Sequence, residues 1–117
     1  MKRIIILCIL VFAAIPVFAQ SDYYSKKAQE YTREAEYYQK KAQDYRREAD
    51  YYLNKAAGYD REAAYYLQRG DTSRAQTQQR YARDATDKAN LQLRFAQEAE
   101  DKAVMYLRWA ADALKKN

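Results

Sequence analysis

The side chains that most often carry out catalysis are almost absent from this sequence. Its 117 residues include no histidine and one cysteine, Cys8. Without a set of imidazole and thiol groups, the chain lacks the usual nucleophiles, general bases and zinc ligands. Carboxylates such as Glu34 and Glu48 recur with a sequence repeat and have basic neighbours, which is typical of a solvated helix face. We therefore expect no enzymatic activity, and no catalytic, cofactor-binding or metal site.

Tyrosine is the abundant residue type with binding chemistry, and the chain has 13 of them. Four recur every fourteen residues beside a second tyrosine, and an arginine precedes three of the four by four residues, a spacing that allows a cation to lie over the ring. Three interpretations of these rings are open: they are local features of the helix surface, they form a second interface, or they form a surface on which a ligand stacks. With apolar residues of the second half they form a candidate interaction surface of Tyr23, Tyr37, Tyr51, Tyr65, Phe95, Trp109, Leu93 and Leu107.

Residues 1–19 have the pattern of a secretory signal peptide. A basic start and an apolar run lead to Pro16, and Val17 and Ala19 supply the small side chains of a cleavage site. Cleavage would leave a single domain, residues 20–117. The alternative, an uncleaved membrane anchor, would need about 20 apolar residues, more than this run provides. The pattern predicts an exported protein of the bacterial envelope, located in the periplasm or outside the cell.

The charge pattern bears on the partners. Lysine and arginine total 21 against 16 acidic residues, a net charge of +5, and the two signs are interleaved along the chain. A nucleic-acid-binding protein would gather its basic residues on one face or in one cluster. We therefore expect no specific binding of nucleic acid.

A fourteen-residue repeat, equal to two heptads, organises both halves of the chain. In the first half, tyrosine and alanine alternate at spacings of three and four, which is the pattern of a coiled-coil seam. The second half has its own fourteen-residue unit, with an alanine at every seventh residue. The sequence predicts an all-α fold with two long helices, residues 22–69 and 73–116, joined by a turn at residues 70–72.

The predicted turn contains its own stop and start signals. Gly70 can adopt the left-handed conformation that ends a helix, and Asp71 or Thr72 can cap the next one, with Ser73 and Gln76 as an alternative capping pair. The segment resembles the turn between the two helices of a tetratricopeptide repeat, although that family's 34-residue period is absent. The resemblance implies a tight connection between the helices.

The two helices are predicted to pack against each other in antiparallel order. If the numbers of facing residues add to 141, each tyrosine of the seam meets an alanine, as Tyr45 meets Ala96. A slip of one heptad, with Tyr45 facing Ala103, would improve the charge pairing. Exposed ion pairs contribute only about 0–1 kcal/mol, so the local capping signals favour the first register. The predicted hairpin is thus an antiparallel Tyr/Ala coiled coil.

The apolar side chains of the second half exceed what one alanine seam can cover. This excess predicts association with a second copy, as a four-helix bundle, or with another envelope protein. Contact with a membrane is expected only through an uncleaved signal.

The function predicted from these features is a structural or protein-interaction role. The alanine-rich seam is similar to that of the murein lipoprotein of bacterial outer membranes, although residues 20–117 contain no cysteine for lipid attachment. An alternative is a periplasmic holdase chaperone, since the chain resembles the small basic chaperones that carry helical hairpins. A further alternative is weak binding of an anionic polymer or a membrane surface.

Overall fold

Two helices make up the chain in a computed structural model, which describes the backbone of residues 2–116 and the side chains of residues 22–116. Helix α1 extends over Lys2–Gln68 and helix α2 over Thr72–Lys115, and there is no strand within residues 2–116. Helix α1 begins twenty residues before its predicted start at residue 22 and ends one residue before its predicted end, and α2 begins and ends one residue before its predicted bounds. Alanine, glutamate, glutamine, lysine and arginine dominate both helices, and all of them favour helix.

The predicted signal segment, residues 1–19, lies outside the part of the chain whose side chains are described. Within the described residues, no helical stretch is both long enough and apolar enough to cross a membrane.

The turn between the helices closes with paired backbone hydrogen bonds. Gly70 has a φ of +79°. Its N–H donates to the carbonyl oxygen of Leu67 at 3.1 Å, and the N–H of Asp71 donates to the carbonyl oxygen of Tyr66 at 2.9 Å. This is the Schellman arrangement that commonly ends a helix at a glycine. The carboxylate of Asp71 accepts a hydrogen bond from the N–H of Arg74 at 3.1 Å, so Asp71 is the residue that caps α2.

The chain divides into two compact units. Unit 1 comprises Met1–Tyr37 and Lys102–Asn117, and unit 2 comprises Tyr38–Asp101. Unit 2 contains the turn and has the arrangement of a helical hairpin, because Tyr59 of α1 contacts Tyr81 of α2 and Arg46 forms an ion pair with Glu100.

In unit 1, Tyr31 of α1 contacts Trp109 of α2, and the ammonium of Lys116 lies over the ring of Tyr24. The two helical segments of this unit are therefore also in antiparallel order.

Alanine supplies the buried surface of both units. The buried hydrophobic side chains of the described residues are all alanines, and no larger side chain among them is fully buried. In unit 1, for example, Ala28, Ala110 and Ala113 form a cluster against which Tyr31 packs. The buried alanines are those at 28, 35, 42, 49, 56 and 63 in α1 and at 75, 82, 85, 89, 96, 99, 103, 110 and 113 in α2.

Candidate interaction surface

The four tyrosines that recur every fourteen residues on α1 are exposed. Their exposed fractions range from 45% at Tyr65 to 56% at Tyr23. Three of them contact the tyrosine that follows in an edge-to-face arrangement, with centroids 5.2–5.5 Å apart, as Tyr51 does with Tyr52 at 5.3 Å. Each of these three tyrosines therefore forms a separate exposed pair of rings with its neighbour on α1.

The cations over Tyr51 and Tyr65 do not come from the arginines four residues before them. The ammonium of Lys55 lies 4.9 Å from the centroid of Tyr51, and the guanidinium of Arg69 lies 4.5 Å from that of Tyr65. Each cation therefore follows its ring by four residues, whereas Arg47, which precedes Tyr51 by four, pairs with an aspartate. Helical side chains point toward the N-terminus of their helix, so a long side chain reaches the ring one turn before it.

The candidate residues of α2 differ in their surroundings. Leu93, Leu107 and Trp109 are exposed to about the same extent, 41–42%. Phe95 is half-buried, because its ring packs 5.5 Å from that of Tyr45. Leu93 and Leu107 are therefore available to a partner, whereas Phe95 belongs to the contact between the helices.

A cavity of about 460 Å³ in unit 1 brings two candidate residues together, Tyr23 of α1 and Trp109 of α2. The remaining candidates do not line it. Aromatic rings, two lysines and an aspartate make up most of its wall, which consists of Tyr23, Tyr24, Lys27, Tyr31, Trp109, Asp112, Ala113 and Lys116.

The charged groups of this cavity differ in their interaction partners. The ammonium of Lys116 lies 5.6 Å from the centroid of Tyr24, and that of Lys27 lies 3.7 Å from a carboxylate oxygen of Glu30. Asp112 forms no ion pair or hydrogen bond with any other described side chain. The cavity thus contains a carboxylate that can accept hydrogen bonds beside two ammonium groups that can donate them.

Unit 2 contains a second cavity, of about 160 Å³, with an equivalent wall. Each residue that α1 contributes lies 28 residues after its equivalent in unit 1, and each residue of α2 lies 28 residues before. Tyr81 takes the place of Trp109, and the ammonium of Lys88 lies 5.7 Å from the centroid of Tyr52, as that of Lys116 lies near Tyr24. The wall consists of Tyr52, Lys55, Tyr59, Tyr81, Asp84, Ala85 and Lys88.

One lysine of the second cavity has a shifted pKa. A hydrogen bond with the side chain of Tyr51 is the main reason that the pKa of Lys55 lies above its usual value, with charge interactions with Tyr51 and other nearby tyrosines adding to the effect. The equivalent Lys27 pairs with Glu30, whereas the residue 28 positions after Glu30 is Gly58, which offers no carboxylate. Without that acid one turn away, Lys55 interacts with Tyr51 instead.

Sequence reasoning did not single out most of the cavity residues. Lys27, Lys116 and Asp112 appear on the sequence as ordinary members of solvated faces. The signal that could have found them is the 28-residue equivalence on both helices, taken together with the antiparallel order. When this equivalence is applied to the heptad positions beside the seam, each cavity lysine falls into one group with an aspartate and aromatic rings.

The chemistry available on this surface is that of binding. It offers ring faces, ammonium donors and carboxylate acceptors. In the part of the chain with described side chains, no three residues of the aspartate, glutamate, cysteine and histidine types come together as a possible metal site.

Comparisons of the chain with protein-family models, with curated proteins and with solved structures found no match.

Proposed function

We propose that this protein is an exported, non-enzymatic interaction protein of the bacterial envelope, in which an antiparallel Tyr/Ala coiled coil carries exposed apolar side chains that bind a second copy. The three parts of this proposal are the seam, the association and the export. Each has its own support and its own test.

The ring contacts support the Tyr/Ala seam and its first register. Tyr45 contacts Phe95 and Tyr59 contacts Tyr81, and in each case the contacted ring immediately precedes the alanine that this register places opposite the tyrosine. A slip of one heptad would move each tyrosine seven residues, about 10 Å, away along α2. Large side chains facing small ones also explain why alanines are the buried side chains among residues 22–116.

Disulfide trapping within unit 2 tests the seam, in a background in which Cys8 is replaced by serine. The pair Tyr59→Cys with Ala82→Cys is expected to form a bond within one chain, because the first register brings these positions together. The pair Tyr59→Cys with Ala89→Cys, which the slipped register would join, is the control and is expected to stay reduced. Bond formation within one chain by the second pair alone would contradict the proposed register.

The observation that carries the association is the contrast between a core of alanines and an exposed set of larger apolar side chains. An alanine buries little area, and burial stabilises by roughly 25 cal/mol per Å² of apolar surface. Large exposed apolar patches are uncommon on monomeric proteins and mark interaction sites, and Leu93, Leu107 and Leu114, which are spaced by multiples of seven, lie along one side of α2. The exposed side chains on α2 include Leu91, Leu93, Val104, Met105, Leu107, Trp109 and Leu114.

Light scattering coupled to size-exclusion chromatography tests the association. We expect the wild-type protein to have at least twice the mass of one chain. Replacing Leu93 and Leu107 by glutamine should shift the protein toward the mass of one chain. Replacing the adjacent Arg94 and Arg108 by glutamine is the matched control and should leave the mass unchanged. A wild-type protein that is monomeric at high concentration would exclude self-association and favour a different envelope partner.

The residue pattern of positions 1–19 supports export. Intact mass spectrometry of the protein recovered from the cell envelope is expected to give a chain that begins at Gln20. Retention of the first 19 residues would instead indicate a membrane anchor.

A further inference from the structure

We propose that the cavity of unit 1 binds a saccharide residue that carries a carboxylate or a phosphate group. This activity goes beyond the proposed function, because the cavity wall shares only Trp109 with the apolar side chains assigned to association. Tyr31, Trp109, Lys27, Lys116 and Asp112 carry the argument.

The rings of the cavity provide the apolar part of such a site. Tyr31 and Trp109 lie 5.7 Å apart at an angle of 65°, so they form two adjoining walls rather than a closed stack. The faces of aromatic rings are electron-rich, and the C–H groups on the face of a sugar ring are slightly positive. The volume of about 460 Å³ has room for a small molecule, and the cavity is open to solvent, so part of a bound sugar would remain exposed.

The polar groups of the cavity fit an acidic sugar in number and in type. Two ammonium groups against one carboxylate give the wall a net positive charge. Lys116 and Lys27 can donate charge-assisted hydrogen bonds to a carboxylate or phosphate. Asp112, which pairs with no described residue, can accept hydrogen bonds from sugar hydroxyls.

The same wall chemistry recurs in unit 2, because the fourteen-residue repeat of both helices places the same residue types 28 residues apart. Both cavities have two tyrosines, two lysines, an aspartate, an alanine and one further ring at equivalent positions. The repeat also preserves neighbouring positions such as Ala28 and Ala56, and it departs from itself at others, where Glu30 is replaced by Gly58 and Ala111 by Arg83.

A single-stranded nucleic acid would also find rings to stack on and lysines for its phosphates. The aspartate in each cavity favours the saccharide, because a sugar residue carries several hydroxyls that can donate to this carboxylate, whereas a nucleotide within a strand has at most one free sugar hydroxyl. An oligonucleotide is therefore a competitor in the test rather than a second proposal.

Trp109 makes the test direct, because it is the single tryptophan of the chain and lies in the cavity wall. The purified protein is titrated with trigalacturonate, with maltotriose as a neutral trisaccharide and with an oligothymidylate, and its tryptophan fluorescence is recorded at physiological salt. We expect a saturable change with trigalacturonate and affinity weaker by about tenfold or more for both other probes, because neither satisfies the lysines and the aspartate together.

Two double variants separate a built site from general charge attraction. Lys27→Gln with Lys116→Gln removes the two cavity lysines and is expected to weaken trigalacturonate binding by about tenfold or more. Lys26→Gln with Lys115→Gln removes the same charge from the adjacent positions, which do not line the cavity. This control should bind as the wild type does, and circular dichroism verifies that both variants stay helical.

Three results would overturn the proposal. They are the absence of any saturable change with trigalacturonate, equal weakening by the two double variants, and tighter binding of the oligothymidylate than of the acidic trisaccharide. The second would reduce the effect to nonspecific attraction, and the third would assign the cavity to nucleic acid.

Discussion

The cavities of units 1 and 2 are two versions of one arrangement. Their tyrosines, lysines and aspartates occupy equivalent positions 28 residues apart, yet the volumes are about 460 and 160 Å³. Two differences accompany the larger volume. Trp109 takes the place of Tyr81, and Tyr23 joins the wall in unit 1, whereas its equivalent Tyr51 does not line the cavity of unit 2.

The difference at Tyr51 has a local cause in the repeat. Lys27 can pair with Glu30, which leaves Tyr23 without a cation from that lysine. In unit 2, Gly58 stands in place of the acid, and Lys55 lies over Tyr51 instead. The comparison teaches that the heptad pattern fixes which residue types meet, while single departures from it decide which rings remain available to a ligand.

The largest expected effect tests what the two units share, a buried alanine that the proposed register places opposite a tyrosine. Ala82 and Ala110 are equivalent residues with 5% and 6% exposure. Replacing either by leucine should lower the free energy of unfolding by about 1–3 kcal/mol, because the larger side chain overfills a closely packed contact. Urea unfolding followed by circular dichroism measures the change.

Matched controls for this prediction lie one residue further along α2 in each unit. Arg83 and Ala111 are exposed, so leucine there should change the free energy of unfolding by about 0.5 kcal/mol or less. If Ala82→Leu strongly lowered the free energy of unfolding and Ala110→Leu did not, the two units would not share the same contact.

An intermediate effect is expected at Gly58, where the repeat departs from itself. Nothing lies within 4 Å of the position that a β-carbon would occupy. Gly58→Ala should therefore raise the free energy of unfolding by about 1 kcal/mol, since glycine is a poor helix former. Gly58→Glu should also stabilise the helix and draw Lys55 away from Tyr51, which ¹⁵N-edited NMR of the lysine side chains can follow.

Gly70 is a glycine whose replacement is expected to have the opposite effect on stability from that of Gly58. Its φ of +79° is strained for any other residue, so Gly70→Ala should lower the free energy of unfolding by about 1 kcal/mol. If Gly58→Ala also lowered the free energy of unfolding, α1 would require a glycine at this position. That result would contradict the expectation drawn from the open space around Gly58.

The sequence was sufficient for the two helices and the turn because their signals are local. The Schellman turn at Gly70 follows from the freedom of one residue, and helix formation follows from composition. The alternative caps were not separable on the sequence, because Asp71 and Thr72 both have suitable side chains and only the backbone path selects Asp71.

The candidate site was harder to predict because it depends on which side chains meet across the helices. Tyr23 and Trp109 were found as unusual residues, but Lys27 and Asp112 look like ordinary surface charges until the antiparallel order brings them to one cavity. At Tyr51 and Tyr65 the cation follows the ring by four residues rather than preceding it, because spacing alone does not carry the direction in which helical side chains point.

The smallest expected effect concerns the proton of Lys55 in unit 2. Tyr51→Phe removes the hydroxyl whose hydrogen bond is the main reason for the raised pKa of Lys55, so this pKa should fall toward its usual value of 10.5. An NMR titration of the lysine side chain measures the pKa of Lys55, and Tyr65→Phe, one repeat later, is the control that should leave this pKa unchanged.

The same contact predicts a small dependence of stability on pH. Because the pKa of Lys55 is raised in the folded protein, its interaction with Tyr51 stabilises the fold at a pH below the pKa of this lysine in the unfolded chain. The stabilisation is lost as the pH rises through the pKa of Lys55 in the folded protein. Wild type and Tyr51→Phe should therefore differ slightly in thermal stability at neutral pH and converge in strong alkali. If the pKa of Lys55 did not move in Tyr51→Phe, the contact that distinguishes unit 2 from unit 1 would not be the one that holds this lysine.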